Sequence, residues 1–248
     1  MSLDREKKKL MIRILQISDS HIFSDKNNLE NFKAVISEVI KDIKKIKPEL
    51  LVFTGDLSHD QSELSYQYVA EQLAKLACPV AIIPGNHDDP ELMTKVLNNQ
   101  QREFIFDNWH IILLNSYYAG HESGLLNNAE LTFLDHGLQK HPEKQTLIFL
   151  HHHVVPTGSA WLDPMGIENH NEMLTILNKY QNVKIVASGH GHQEVSAEYN
   201  KIKFFITPAT SVQFKKNSKE LTIDTLKPGF RWFNLYANSK YETGVIRI

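Results

Sequence analysis

Short, almost uninterrupted apolar runs alternate along the chain with longer stretches in which apolar positions recur at helical spacing. The runs are "IRILQIS" (12–18), "ELLVFT" (49–54), "PVAIIP" (79–84), "HIILLNS" (110–116), "TLIFL" (146–150), "VKIVAS" (183–188) and "IKFFIT" (202–207). Their length and β-branched content predict buried strands. After the first run, the segment 28–46 places Phe32, Val35, Ile36, Val39, Ile40 and Ile43 on one helical face, and 62–76 and 169–180 repeat the pattern. The resulting β-α-β-α-β order predicts an α/β sheet with helices on its faces. From Thr207 onward the pattern changes to β-forming residues punctuated by "NSK", "KPG" and "ANSK". This predicts a second set of strands, antiparallel, packed against the first sheet. No repeat, low-complexity tract or Pro/Gly-rich linker interrupts the chain, so residues 1–248 read as one domain.

Composition narrows the class. With 42% apolar and 23% charged residues the chain reads as soluble and globular. A net charge of −2 gives no reason to expect nucleic acid or an anionic membrane as partner. The basic cluster "REKKK" at 5–9 reads as a solvated tail. No stretch approaches the roughly 20 apolar residues of a membrane span, and no signal core precedes the first strand. The single cysteine, Cys78, excludes an intramolecular disulfide and points to a reducing, cytoplasmic setting, with Cys78 a small buried residue beside a strand. Histidine is the outlier, with 13 residues in clusters.

Those clusters fall where strands end. The first run is followed by Asp19 and His21, the second by Asp56, His59 and Asp60, and the third by Asn86, His87 and Asp88. His151, His152 and His153 follow "TLIFL", and His190 and His192 follow "VKIVAS". Ligands of open α/β sheets bind at the carboxyl ends of the strands, so these five clusters should converge on one rim. Taken singly, each has an ordinary explanation: a loop, a helix-capping Asp, a histidine-rich tract. All five in order, each at a strand end, argue for a shared site. Carboxylates, imidazoles and an amide oxygen without thiolate suit manganese, iron or zinc. The donors are too many for one tetrahedral ion and enough for two, with a carboxylate such as Asp56 as the economical bridge.

The Asp19-x-His21, Gly55-Asp56, Gly85-Asn86-His87-Asp88, His151–His153 and Gly189-His190-x-His192 motifs resemble the five signatures of the calcineurin-like metallophosphoesterases. "GSAWLD" (158–163) and "PATSVQFK…TLKPGFRW" (208–232) are similar to the bacterial class III 3′,5′-cyclic-AMP phosphodiesterases, and the resemblance runs from about Ile12 to the C-terminus. It implies a four-layer α/β/β/α sandwich of two mixed β-sheets flanked by helices. It also implies two divalent metal ions, iron or manganese with zinc as a third option. One ion would take Asp19, His21, Asp56 and His192; the other Asp56, Asn86, His190 and one residue of the triple run. The family pattern there often reads His-His-Pro, with the ligand two before the proline. Val154 occupies that proline position, which makes His152 the choice and leaves His151 and His153 as partners.

The implied reaction is hydrolysis of 3′,5′-cyclic AMP to 5′-AMP by metal-activated hydroxide. His87 is the implied general acid, and His21, Asp56, Asn86, His87 and His192 contact the substrate. Asp60 or Asp88 would orient a histidine, or serve as loop and helix caps. Tyr117, Tyr118 and His121, in a loop at the same rim, are candidates for a base-stacking lid. Trp161 either stacks on a base or anchors its loop, the anchor being preferred. Two alternatives stay open: a metallophosphoesterase acting on another phosphodiester or nucleotide, and a non-catalytic scaffold of the same fold.

Overall fold

The computed structural model describes residues 11–98 and 100–248, so the basic cluster at 5–9 lies outside the described residues. The chain runs β1 (Met11–Ile17), α1 (Leu29–Lys45), β2 (Leu50–Thr54), α2 (Glu63–Leu73), β3 (Val80–Ile83), α3 (Pro90–Leu97), β4 (Glu103–Phe106) and β5 (Trp109–Leu113). It continues through α4 (Asn128–Lys140), β6 (Gln145–Phe149), α5 (His170–Leu177), β7 (Val183–Ser188), β8 (Val195–Tyr199) and β9 (Ile202–Ile206). The last strands are β10 (Gln213–Phe214), β11 (Ile223–Asp224), β12 (Gly229–Tyr236) and β13 (Tyr241–Arg247).

Two mixed sheets form, in the orders β13-β12-β1-β2-β3 and β4-β5-β6-β7-β9-β8, with β10 and β11 as a separate ribbon. Three apolar cores show how they stack. Leu15, Ile17, Phe53 and Ile82 face Phe32, Val35, Tyr66, Val69 and Met93 of α1, α2 and α3. Ile14, Val52 and Ile83 of the first sheet meet Ile111, Leu147, Phe149 and Ile185 of the second. Ile112, Ile148 and Val186 face Leu134, Leu138, Met173 and Leu177 of α4 and α5. The result is the four-layer α/β/β/α sandwich. Alternate residues of one strand enter different cores, as the period of two requires. Burial on both faces explains why the sequence shows near-continuous apolar runs.

The C-terminal strands correct one expectation. They do not form a second layer: β12 pairs antiparallel with β1, in register from Met11↔Tyr236 to Gln16↔Arg231, and β13 pairs with β12. The alternation within β12 explains this. Phe230 enters the helix-side core and Phe233 and Leu235 the inter-sheet core, so both faces are buried and the strand is built into the first sheet. Cys78 is half-buried, and burial pushes its thiol up to about 11. Among the described residues no helix is long and apolar enough to cross a membrane.

Candidate metal centre

The first sheet carries β1, β2 and β3 parallel, and the second carries β5, β6, β7 and β9 parallel. The loops leaving β1, β2, β3, β6 and β7 meet at the carboxyl edge of both sheets. Backbone bonds lock them together: Asp19 N donates to Gly55 O at 3.0 Å, His21 N to Asp56 O at 2.9 Å, and Gly189 N to His151 O at 3.0 Å. Hydrogen bonds also cross between the sheets at this edge. His190 N donates to Asp19 Oδ2 at 3.1 Å, and His151 Nδ1 donates to Thr54 O at 2.6 Å.

Asp56 is the hub. Its Oδ2 lies 3.4 Å from Nε2 of His21 and 3.4 Å from Nε2 of His151, and its Oδ1 accepts the His87 N–H at 2.8 Å. On one side, His21 Nε2 lies 3.0 Å from His192 Nε2, which is itself 3.4 Å from Asp19 Oδ1. On the other, His151 Nε2 lies 3.1 Å from Asn86 Oδ1, with the His190 ring 5.1 Å away, centroid to centroid. His87 is half-buried and meets the His21 ring edge-on at 4.8 Å. All the expected ligands are therefore gathered in one place.

The triple run separates into three environments. His151 turns its Nε2 onto Asp56 and Asn86. His152 directs Nδ1 to Ser116 Oγ at 2.8 Å, although its ring still approaches those of His151 and His190. His153 is buried with neither ring nitrogen hydrogen-bonded. Of the three rings it is His151 that turns a nitrogen to the hub, while the buried Nε2 of His152 has no hydrogen-bond partner and groups with His151 and His190. The reason is local: the bond from His151 Nδ1 to the Thr54 carbonyl fixes that ring with its other nitrogen at the hub.

This donor set suits cations. His192 spends its Nδ1–H on Val212 O at 2.8 Å, and His151 spends its Nδ1–H on Thr54 O. In the neutral His192 ring Nε2 is then a bare lone pair pointing toward Asp19 and His21, whereas His151 Nε2 faces two acceptor oxygens, of Asp56 and Asn86. Lone pairs converging on carboxylates need positive charge between them. Burial, the largest influence, pulls His21 down to about 3, and burial likewise holds His152 and His190 far below the ordinary imidazole range. Burial also pulls at His151, but the Asp56 carboxylate outweighs it and holds the ring up at about 9. Asp56 itself is kept well below the usual carboxylate range by His151 and His21, against the opposing effect of burial.

The backbone is bent to the same end. Asp19, His21, Asp56, His190 and His192 all have positive φ, between 44° and 61°. Such conformations cost roughly 1–3 kcal/mol each outside glycine and concentrate at functional sites. Gly85 makes room for the hub, since a Cβ there would overlap Asp56 Oδ1 and crowd Asp56 N at 2.5 Å.

The two other acids are loop braces. Asp88 is buried and accepts N–H groups of Leu57, Ser58 and Gly85 and the Tyr66 hydroxyl. Burial, reinforced by Asp56, pushes it up to about 7. Asp60 accepts from Ser24 N, Ser62 N and Ser62 Oγ. Neither makes a hydrogen bond to a site histidine.

A pocket of about 330 Å³ opens over the hub, floored by His21, Asp56, Asn86, His87, His190 and His192. Its walls are largely apolar: Phe23, Trp161, Leu162, Met165, Val212, Phe214 and Leu221. From the 115–124 loop it is Glu122 that lines the pocket; Tyr118 and His121 stack on one another at 3.8 Å. Trp161 is anchored as expected, with Nε1 donating to Ser218 Oγ and its ring edge-on to Phe214, yet it also borders the cavity. Val212 and Phe214 lie in the stretch that carries the family resemblance, but nothing local in the sequence placed them or Leu221 at the pocket wall, because that depends on how the ribbon folds back over the rim.

Comparison with known proteins gives a consistent picture. The calcineurin-like phosphoesterase family matches residues 12–194. The 3′,5′-cyclic adenosine monophosphate phosphodiesterase CpdA of Escherichia coli K12 is 37% identical over 96% of this chain and 90% of its own. The Haemophilus influenzae protein of the same name is also 37% identical, over 97% and 91%. A 3′,5′-cyclic-nucleotide phosphodiesterase of Nostoc is 35% identical over 97% and 94%. Among solved structures, a dimetal phosphatase from Danio rerio shares the fold with a TM-score of 0.70 and 16% identity, covering 95% of this chain and 98% of its own.

Proposed function

Because this chain belongs to the calcineurin-like phosphoesterases, we propose that it acts as one domain to hydrolyse 3′,5′-cyclic AMP to 5′-AMP at two divalent ions, iron or manganese, in the cytoplasm. The observation that carries the reading is the position of Asp56 Oδ2, equidistant at 3.4 Å from His21 and His151 and therefore available to bridge. Asp19, His21, Asp56 and His192 would hold one ion, and Asp56, Asn86, His190 and His151 the other. His151 replaces His152 in this set because its Nε2 faces the bridge. Bound there, the ions supply positive charge to the phosphoryl oxygens and lower the pKa of a water toward neutrality.

The chain's own groups do the rest. Asn86, His21 and His192 line the pocket floor beneath the phosphodiester and would set its position as ligands of the ions. His87, held by its backbone bond to Asp56 and open to the pocket, donates a proton to the departing O3′. The apolar wall formed by Trp161, Phe214 and Leu221 suits a purine and excludes water from the reacting centre. Cyclic AMP as substrate is supported by relatives named for that activity that align over nearly the whole chain.

The test is metal analysis combined with a substrate panel. Manganese-loaded protein should show a higher kcat/KM for cyclic AMP than for glycerophosphodiesters, dinucleotide polyphosphates or a phosphopeptide. No turnover of cyclic AMP by protein carrying two ions would overturn the substrate assignment.

A further inference from the structure

His59 stands beside the proposed ligands, its nitrogen close to those of His21 and His87. It follows β2 at the pocket mouth and is exposed, yet its ring is closely ordered. Phe23 stacks on it at 4.4 Å with 29° between planes, and His87 stacks on it at 4.6 Å with 23°. Its Nδ1 lies 3.1 Å from Nδ1 of His21.

The tautomers follow from that contact. His21 turns Nε2 toward Asp56, Asp19 and His192. To bind an ion there as a neutral ring it must carry its proton on Nδ1. That Nδ1–H needs an acceptor, and His59 Nδ1 is at hydrogen-bond distance. His59 must then present a lone pair on Nδ1 and carry its own proton on Nε2, toward the pocket mouth. The partner in such a position is ordinarily a carboxylate, a backbone carbonyl or water. The neighbouring carboxylate, Asp60, is occupied by the Ser24 and Ser62 donors.

We propose that His59 is a positioning residue for the metal centre: it accepts the Nδ1–H of His21 and so fixes the tautomer and ring rotation that aim Nε2 at the ion. The Phe23–His59–His87 stack holds the acceptor in place. This rests on the two-ion reading given above.

Titration of metal-free protein with manganese(II), counting sites and affinities, tests it. His59→Phe keeps a ring in the stack and removes the acceptor. His59→Gln removes the ring and supplies an amide oxygen. His59→Phe should weaken one of the two sites about 10–100-fold, the usual cost of losing such a partner, and His59→Gln should recover most of that loss. Melting temperatures of the metal-free variants should match the parent. Two sites of parental affinity in His59→Phe would overturn the proposal, as would parental binding restored by Phe and not by Gln, or an affinity loss matched by a loss of metal-free stability. A parent protein that binds fewer than two ions would instead overturn the two-ion reading itself, and this proposal with it.

Discussion

The Nε2 of His151 lies 3.4 Å from Oδ2 of Asp56, while its Nδ1 is already given to the Thr54 carbonyl. Without an ion, the Asp56 carboxylate holds a proton on this ring up to about pH 9. A metal must displace that proton. Apparent affinity for manganese at this site should therefore rise about tenfold per pH unit as pH approaches 9, then level off. Calorimetry in buffers of different ionisation enthalpy should detect one proton released. A flat affinity profile would show that the ring is already deprotonated when the ion arrives.

Asp56→Asn keeps the shape of the hub but removes its negative charge and leaves one acceptor oxygen. Because Oδ2 faces both histidine groups, occupancy of both ions should fall together, with kcat lower by two or more orders of magnitude, roughly the scale of removing a group that acts on the reacting centre. Elemental analysis decides: loss of a single ion would place the bridge elsewhere.

His151 and His152 should separate cleanly. His151→Ala should lose the ion next to Asn86. His152→Ala should retain two ions and destabilise the fold by about 1–3 kcal/mol, as expected when a buried polar contact is broken, here with Ser116. Metal counts and urea midpoints of the two variants give the answer. The opposite assignment of losses would restore His152 as the ligand.

His87→Ala should keep both ions and lower kcat on cyclic AMP by about 10²–10⁴-fold. The loss should be far smaller on bis(p-nitrophenyl) phosphate, whose leaving group needs little protonation. Equal losses on both substrates would point to phosphate binding in place of proton donation.

The sequence exposed the site more fully than the scaffold around it. Metal-ligand chemistry is written in residue types, so Asp19, His21, Asp56, Asn86, His190 and His192 stood out wherever the strands placed them. Which ring of His151–His153 turns to the hub was not legible, because it depends on which one reaches the Thr54 carbonyl across the gap between sheets. Buried strands such as β2 and β7 were clear from apolar runs. The helix α3 was missed: it has two turns and begins at Pro90, a residue the pattern treats as punctuation. The edge strands β4 and β8 were missed because they are only partly buried. The register of β12 against β1 depends on residues more than 200 positions apart, beyond any local periodicity.

The proposed ligands come from both sides of the sandwich. Asp19, His21, Asp56 and Asn86 follow strands of the first sheet, and His151, His190 and His192 follow strands of the second. Between the sheets lies mainly apolar surface, which resists separation well and sliding poorly, since dispersion contacts carry little direction. An ion pair straddling that seam would act as a rivet against shear. Binding at a hundredfold excess over Kd stabilises a protein by about 2.7 kcal/mol per independent site. Mechanically, the effect should fall on relative motion of the two sheets, so hydrogen exchange along the inter-sheet faces of β2 and β6 should slow on metal loading more than exchange in α1 or α4.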